Sequence, residues 1–171
     1  MKIVVEGPDC SGKSTLAQAL HFRLGNYKYV HNSLFQGKHV QRNISGQISQ
    51  FSDDLFHSHL DLLRLNENII IDRHWPSELV YGHIFRNKFE YDIKKMRRHC
   101  KIYRPIYIGC LPSYETVLKK FEERKDTEDF DYVDRVYEMY ARIFKLMPEF
   151  KIFNYEKEPI LNFIKRELNV N

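Results

Sequence analysis

The run Lys2-Ile3-Val4-Val5-Glu6-Gly7-Pro8-Asp9-Cys10-Ser11-Gly12-Lys13-Ser14-Thr15-Leu16-Ala17 decides how the chain folds. It begins with an apolar β-rich stretch, turns through two glycines five residues apart, and continues with helix formers, which reads as strand, loop and helix. The loop fits the spacing G-x-x-x-x-G-K-[S/T], in which backbone N–H groups converge on phosphate oxygens at a helix N-terminus. Gly7, Ser11, Gly12 and Thr15 belong to that cradle, Lys13 offers a charge to the outer phosphates, and the Ser14 hydroxyl offers a ligand to Mg2+. The stretch therefore implies a site for the phosphates of a nucleoside triphosphate.

A second stretch belongs beside it. Ile69-Ile70-Ile71-Asp72 is a short unbroken β-branched run, the pattern of a strand buried on both faces. Further strands are expected over 27–30, 104–111 and 150–154. Helices are expected over 40–67, 77–86 and 92–99, in a segment capped by Ser113, along the stripe Val133, Val136, Tyr137, Tyr140, Ile143, Phe144 and Met147, and after Pro159. Strands separated by helical crossovers imply an α/β chain with a five-stranded parallel sheet flanked by helices. Ligands in such sheets sit beyond the carboxyl ends of the strands, which brings Asp72 and Arg73 next to the phosphate loop. Asp72 is then the acidic residue that holds Mg2+, and Arg73 presents a planar fork suited to a second phosphate.

Composition narrows the class. With 171 residues, 43% of them apolar, the chain makes one domain able to bury its own core. No apolar run approaches the roughly 20 residues of a membrane span, and the first residues lead directly into a strand, so a cytoplasmic protein without a membrane partner is expected. Cys10, Cys100 and Cys110 fit free thiols. A helix N-terminus could lower the pKa of Cys10, although a structural role is the favoured reading. A net charge of +4 suits anionic small molecules without requiring nucleic acid. The basic run Lys94-Lys95-Met96-Arg97-Arg98-His99 reads as a solvated helix face. Eight of the ten residues over 122–131 are charged and none is aliphatic, so an exposed loop is expected there.

Glu6-Gly7-Pro8-Asp9-Cys10-Ser11-Gly12-Lys13-Ser14-Thr15, together with Asp72, Arg73, His74, Ser77 and Tyr81, resembles the thymidylate kinases among the nucleoside monophosphate kinases. The likeness covers residues 1–25 and 68–85, with a looser match over 122–140. It implies a three-layer P-loop kinase fold and transfer of the γ-phosphoryl group of ATP, with Mg2+, to a deoxynucleoside monophosphate such as dTMP or a related pyrimidine. In that family pattern Asp9 receives the acceptor's sugar hydroxyl, Arg73 clamps the acceptor phosphate, and Ser77 and Tyr81 line the acceptor pocket. Phe51 would stack on the base, with Phe56 as the alternate, and 122–131 would close as a lid bringing Arg124 and Lys125 to the phosphates. A homodimer is also implied.

The chain departs from the pattern in three places. Cys10 stands where some members carry arginine, the segment after the second strand lacks the Phe-Pro-x-Arg element, and Asp53 and Asp54 stand near the place of a base-contacting arginine. Lys38 or Arg42 could replace a phosphate contact. Three other functions share the phosphate loop. They are a deoxynucleoside kinase using Glu6 or Asp9 as base, a kinase acting on a modified base in DNA through the 94–99 run, and a hydrolysing switch. The switch would need a guanine-reading element, which Asn87-Lys88-Phe89-Glu90 matches only in part.

Overall fold

A computed structural model describes residues 1–32, 48–87, 92–124 and 132–169. Five strands, β1 (Lys2–Glu6), β2 (Lys28–His31), β3 (Ile69–Asp72), β4 (Ile106–Cys110) and β5 (Phe150–Phe153), form one sheet in the order β2-β3-β1-β4-β5, every neighbouring pair parallel. Between them run α1 (Lys13–Leu24), α2 (Ile48–Arg64), α3 (Trp75–Tyr81), α4 (Ile93–Tyr103), α5 (Tyr114–Glu123) and α6 (Val133–Leu146), and α7 (Ile160–Leu168) follows β5.

Alternation along the strands sorts the side chains into two cores. Val4, Ile69, Ile71, Tyr107 and Phe150 face α2, α3, α4, α5 and α6. Ile3, Val5, Ile70, Ile108 and Phe153 face α1 and α7. This is the expected three-layer α/β arrangement. Because β1 is flanked by β3 on one side and β4 on the other, the chain's winding reverses there, which opens a crevice at the carboxyl ends of these strands. Register pairs Val5 with Asp72, and so places the phosphate loop directly beside Asp72 and Arg73.

Several expected boundaries move for local reasons. The helix expected to begin at Ser77 begins at Trp75, with Pro76 in its first turn, where the missing N–H costs nothing. It does not continue as α-helix to Arg86: from Gly82 the ladder widens into a π-helical turn, Gly82–Arg86, a form that recurs at functional sites. The helix expected over 92–99 runs on to Tyr103, with the Asp92 carboxylate accepting from Lys95 N at its start. Arg104, expected in a strand, instead caps α4 in the left-handed conformation, so β4 begins only after Pro105. Within the span expected to be helical over 40–67, α2 is Ile48–Arg64; residues 40–47 lie outside the described residues. Ser113 caps α5 as expected, accepting from Thr116 N.

Candidate functional site

The loop between β1 and α1 is built by conformations that few residues tolerate. Gly7 has φ 150° and Gly12 φ 85°, and a Cβ on Gly7 would run into the Cys110 carbonyl and stand 2.7 Å from Ser11 Oγ. Gly12 ends the loop at the first turn of α1, whose free N–H groups and dipole face the crevice. The Tyr155 ring packs against Gly12, and Lys120 lies 4.1 Å over that ring, so the β5–α7 connection walls one side of the loop.

Asp9, Gly12, Lys13, Ser14, Thr15, Arg73 and Arg124 line one cleft of about 320 Å3, together with Cys10 and His31. Lys13 Nζ donates to Pro8 O at 2.7 Å and stands 3.9 Å from Asp9 Oδ1. The other side of Asp9 is held by Arg73 Nη2 on Oδ1 and by Tyr81 Oη on Oδ2 at 3.0 Å. Asp9 thus bridges the two cations expected to grip two different phosphates. Its side chain keeps 37% of its surface exposed, whereas that of Arg73 keeps 4%.

Arg73 is fixed on all sides. Its Nη1 donates to Tyr81 Oη at 3.1 Å, to Tyr140 Oη at 3.4 Å and to Gly7 O at 3.5 Å, and its backbone takes φ 78°. Burial works against its charge, but the surrounding oxygens outweigh burial and hold the guanidinium ionised. Burial alone would raise the pKa of Asp9; Arg73 and Lys13 overcome that, and the carboxyl lies below its ordinary range. Lys13 is lowered to about 8, first by burial and then by the Arg73 charge.

Beneath this layer lies Glu6, with no exposed surface. Its Oε1 accepts from His74 N at 2.6 Å, and its Oε2 from Ser77 Oγ at 2.7 Å and Tyr140 Oη at 3.2 Å. Burial raises its pKa to about 7 against these donors. With donors on both carboxylate oxygens and no exposed surface, Glu6 is an anchor and not a base available to an acceptor hydroxyl. Ser77, expected to line the acceptor pocket, bonds through its hydroxyl to Glu6 and to Tyr140, the tyrosine that accepts from Arg73. Tyr81 does reach the Asp9 and Arg73 layer, and stacks on Phe85 with ring centroids 5.8 Å apart.

At the floor, Ser14 Oγ donates to Asp72 Oδ2 at 2.8 Å. Tyr29 Oη and His31 Nδ1 also approach that oxygen, at 3.2 and 3.0 Å, while the buried Asp72 Oδ1 has no hydrogen-bond partner. A hydroxyl and an under-used carboxylate beside a phosphate loop fit Mg2+ held partly by phosphate and water, which needs few protein ligands. Among the described residues, no group of three or more His, Cys, Asp or Glu forms a metal cage.

Cys10 is buried and takes φ 62°, and burial pushes its thiol pKa up, against the nearby Arg124 and Lys13 charges. Arg124 caps α5 and reaches the cleft. Lys125 and residues 126–131 of the expected lid lie outside the described residues, as do Lys38 and Arg42 and the side chains of Phe51, Asp53 and Asp54. Phe56 is buried in the core, with Lys95 4.7 Å over its ring, so it is not a free stacking surface. Sequence reasoning missed His31, which the β2–β3 register sets opposite Asp72. It also read Tyr140 as core alone; a buried tyrosine hydroxyl requires a polar partner, and that was the available signal.

No family model matches the chain. In sequence it is similar to the SPbeta prophage-derived uncharacterized protein YorR of Bacillus subtilis (strain 168), 27% identical over an alignment of 150 residues that covers 82% of this chain and 80% of that protein. The crystal structure of YorR in complex with phosphorylated GDP matches with a TM-score of 0.77 at 21% identity, over 99% of this chain and 94% of that one. Deoxyadenosine kinase from M. mycoides with its products dCMP and a flexible dCDP matches at 0.62 and 16%, over 99% of this chain and 97% of that one. The same enzyme with bound dCTP matches at 0.61. The fold is therefore that of the P-loop kinases: a five-stranded parallel sheet between two helical layers, with the phosphate loop after its first strand.

Proposed function

We propose that the protein transfers the γ-phosphoryl group of ATP to the phosphate of a deoxynucleoside monophosphate, with a pyrimidine such as dTMP as the first candidate. The observation that carries this reading is the bridge Lys13–Asp9–Arg73, two cations poised on either side of one half-exposed carboxylate within a single cleft. Transfer between two anions needs little covalent help; it needs both held in line and their charge neutralised. Lys13 and the loop N–H groups hold the donor. Asp9 receives the acceptor's sugar hydroxyl, Arg73 meets its phosphate, and Arg124 adds charge from the rim. Ser14 and Asp72 would hold Mg2+, whose charge would further neutralise the donor phosphates.

A second reading, a deoxynucleoside acceptor, is favoured by one feature: Asp9 is a carboxylate at the cleft surface, and Glu6 is sealed away from that role. The similarity in fold to a deoxyadenosine kinase supports the same reading. A coupled ATP-consumption assay across the common nucleosides and their monophosphates separates the two. Turnover with a monophosphate supports the first proposal, turnover with nucleosides alone replaces it by the second, and ATP loss without any acceptor overturns both.

A further inference from the structure

His31 lines the same cleft as Lys13, Ser14 and Arg73 and has no part in the proposed transfer. It closes the edge strand β2 directly opposite Asp72, the last residue of β3. Asn32 N donates to Asp72 O at 2.9 Å, so the backbone that carries the imidazole is fixed against Asp72. The His31 side chain keeps 41% of its surface exposed, whereas that of Asp72 is wholly buried. The imidazole is therefore the open side of an otherwise sealed carboxylate.

Three groups crowd one oxygen of that carboxylate. Ser14 Oγ at 2.8 Å, His31 Nδ1 at 3.0 Å and Tyr29 Oη at 3.2 Å all meet Asp72 Oδ2, while Oδ1, also buried, meets none. A carboxylate oxygen offers about two lone-pair directions, so three full hydrogen bonds cannot be made there at once. Merely orienting Asp72 would be better served by donors spread over both oxygens. The arrangement instead suits ligand atoms gathered about a common centre. Neighbouring ligands of an octahedral ion with bonds of about 2.1 Å stand about 3 Å apart. Ser14 Oγ and His31 Nδ1 each stand at such a distance from Asp72 Oδ2. Tyr29, a phenol, remains a donor that steadies the carboxylate, whereas a hydroxyl and a neutral imidazole can both turn a lone pair to a cation.

We propose that His31 is a third protein ligand, beside Ser14 and Asp72, to the divalent ion of the phosphate loop, and that its nitrogen makes the site favour a first-row transition ion such as Mn2+ over Mg2+. Carboxylate, hydroxyl, phosphate and water suit either ion, but an imidazole nitrogen distinguishes them, because Mg2+ prefers oxygen. The inference rests on the ion site at Ser14 and Asp72 in the proposed function, and adds to it the nature of the ion.

Pulsed EPR of Mn2+ bound to the full, untagged chain with inorganic tripolyphosphate tests it. Tripolyphosphate fills the phosphate loop and brings no nitrogen of its own. A nitrogen hyperfine coupling of the size given by a directly bound imidazole is expected. The chain has eight histidines, so the coupling is assigned by His31→Asn, which sets an amide in place of the ring and should abolish it. In the same variant the Kd for Mn2+ should rise by about tenfold, while that for Mg2+, read by competition, changes by less than about twofold. Should His31→Asn lower the thermal midpoint, His31→Gln must still lose the coupling. Mn2+ that binds and is weakened by Ser14→Ala, yet shows no nitrogen coupling or keeps it in His31→Asn, overturns the proposal and leaves the ion site at Ser14 and Asp72 standing. Mn2+ binding that is absent with tripolyphosphate, or indifferent to Ser14→Ala, removes that ion site and this inference with it.

Discussion

Replacing Glu6 with glutamine tests the architecture beneath the cleft. Burial holds the Glu6 proton until about pH 7, whereas an ordinary glutamate releases it near 4.5. Between those values the folded chain binds more protons than the unfolded one, so wild-type stability falls as the pH rises through the window and levels off above it. At about 1.4 kcal/mol for each pKa unit, the contribution is about 3 kcal/mol. Glutamine cannot titrate, yet it satisfies the same partners. Its oxygen accepts from His74 N–H, and its NH2 donates to the Ser77 and Tyr140 hydroxyls, which can turn to accept. The stability of Glu6→Gln minus that of wild type should therefore climb by about 3 kcal/mol between pH 4.5 and pH 7 or above. Urea denaturation of both proteins across this range measures it, and contributions from other groups cancel in the difference. A difference that stays flat to within about 0.5 kcal/mol, or that falls with pH, would show that Glu6 is ionised in the folded state and refute the reasoning.

Arg73→Lys keeps the charge but loses the fork that reaches Asp9, Tyr81 and Tyr140 together, so kcat/KM for the acceptor should fall by about a hundredfold or more in steady-state assays. Arg124→Ala removes an exposed cation at the rim; kcat should drop at least about tenfold while the melting temperature stays unchanged, and an unaltered kcat takes Arg124 out of the chemistry. Gly7→Ala forces a Cβ against the Cys110 carbonyl at a positive φ, and calorimetry should show a loss of about 3 kcal/mol or more, with phosphate binding lost in parallel.

Much of the fold was legible because it is encoded locally. Alternation and β-branching mark Ile3 to Val5 and Ile69 to Ile71 as strands, the glycine spacing marks the loop, and helical crossovers leave little choice but a parallel sheet. The convergence of Lys13, Asp9, Ser14, Asp72 and Arg73 follows from that sheet, since loops after neighbouring parallel strands must share an edge.

What the sequence could not declare is which polar group each buried side chain would find. Glu6 and Tyr140 are 134 positions apart, and only packing of α6 over the sheet brings the hydroxyl to the carboxylate. The same packing turns Ser77 inward, onto Glu6 and Tyr140, and the β2–β3 register alone sets His31 on Asp72. Periodicity tells a residue which face to bury, a property of its neighbours along the chain. The partner of a buried donor or charge depends on segments distant in sequence. For that reason the phosphate loop could be read from its residues, whereas the sealed Glu6 required the tertiary structure.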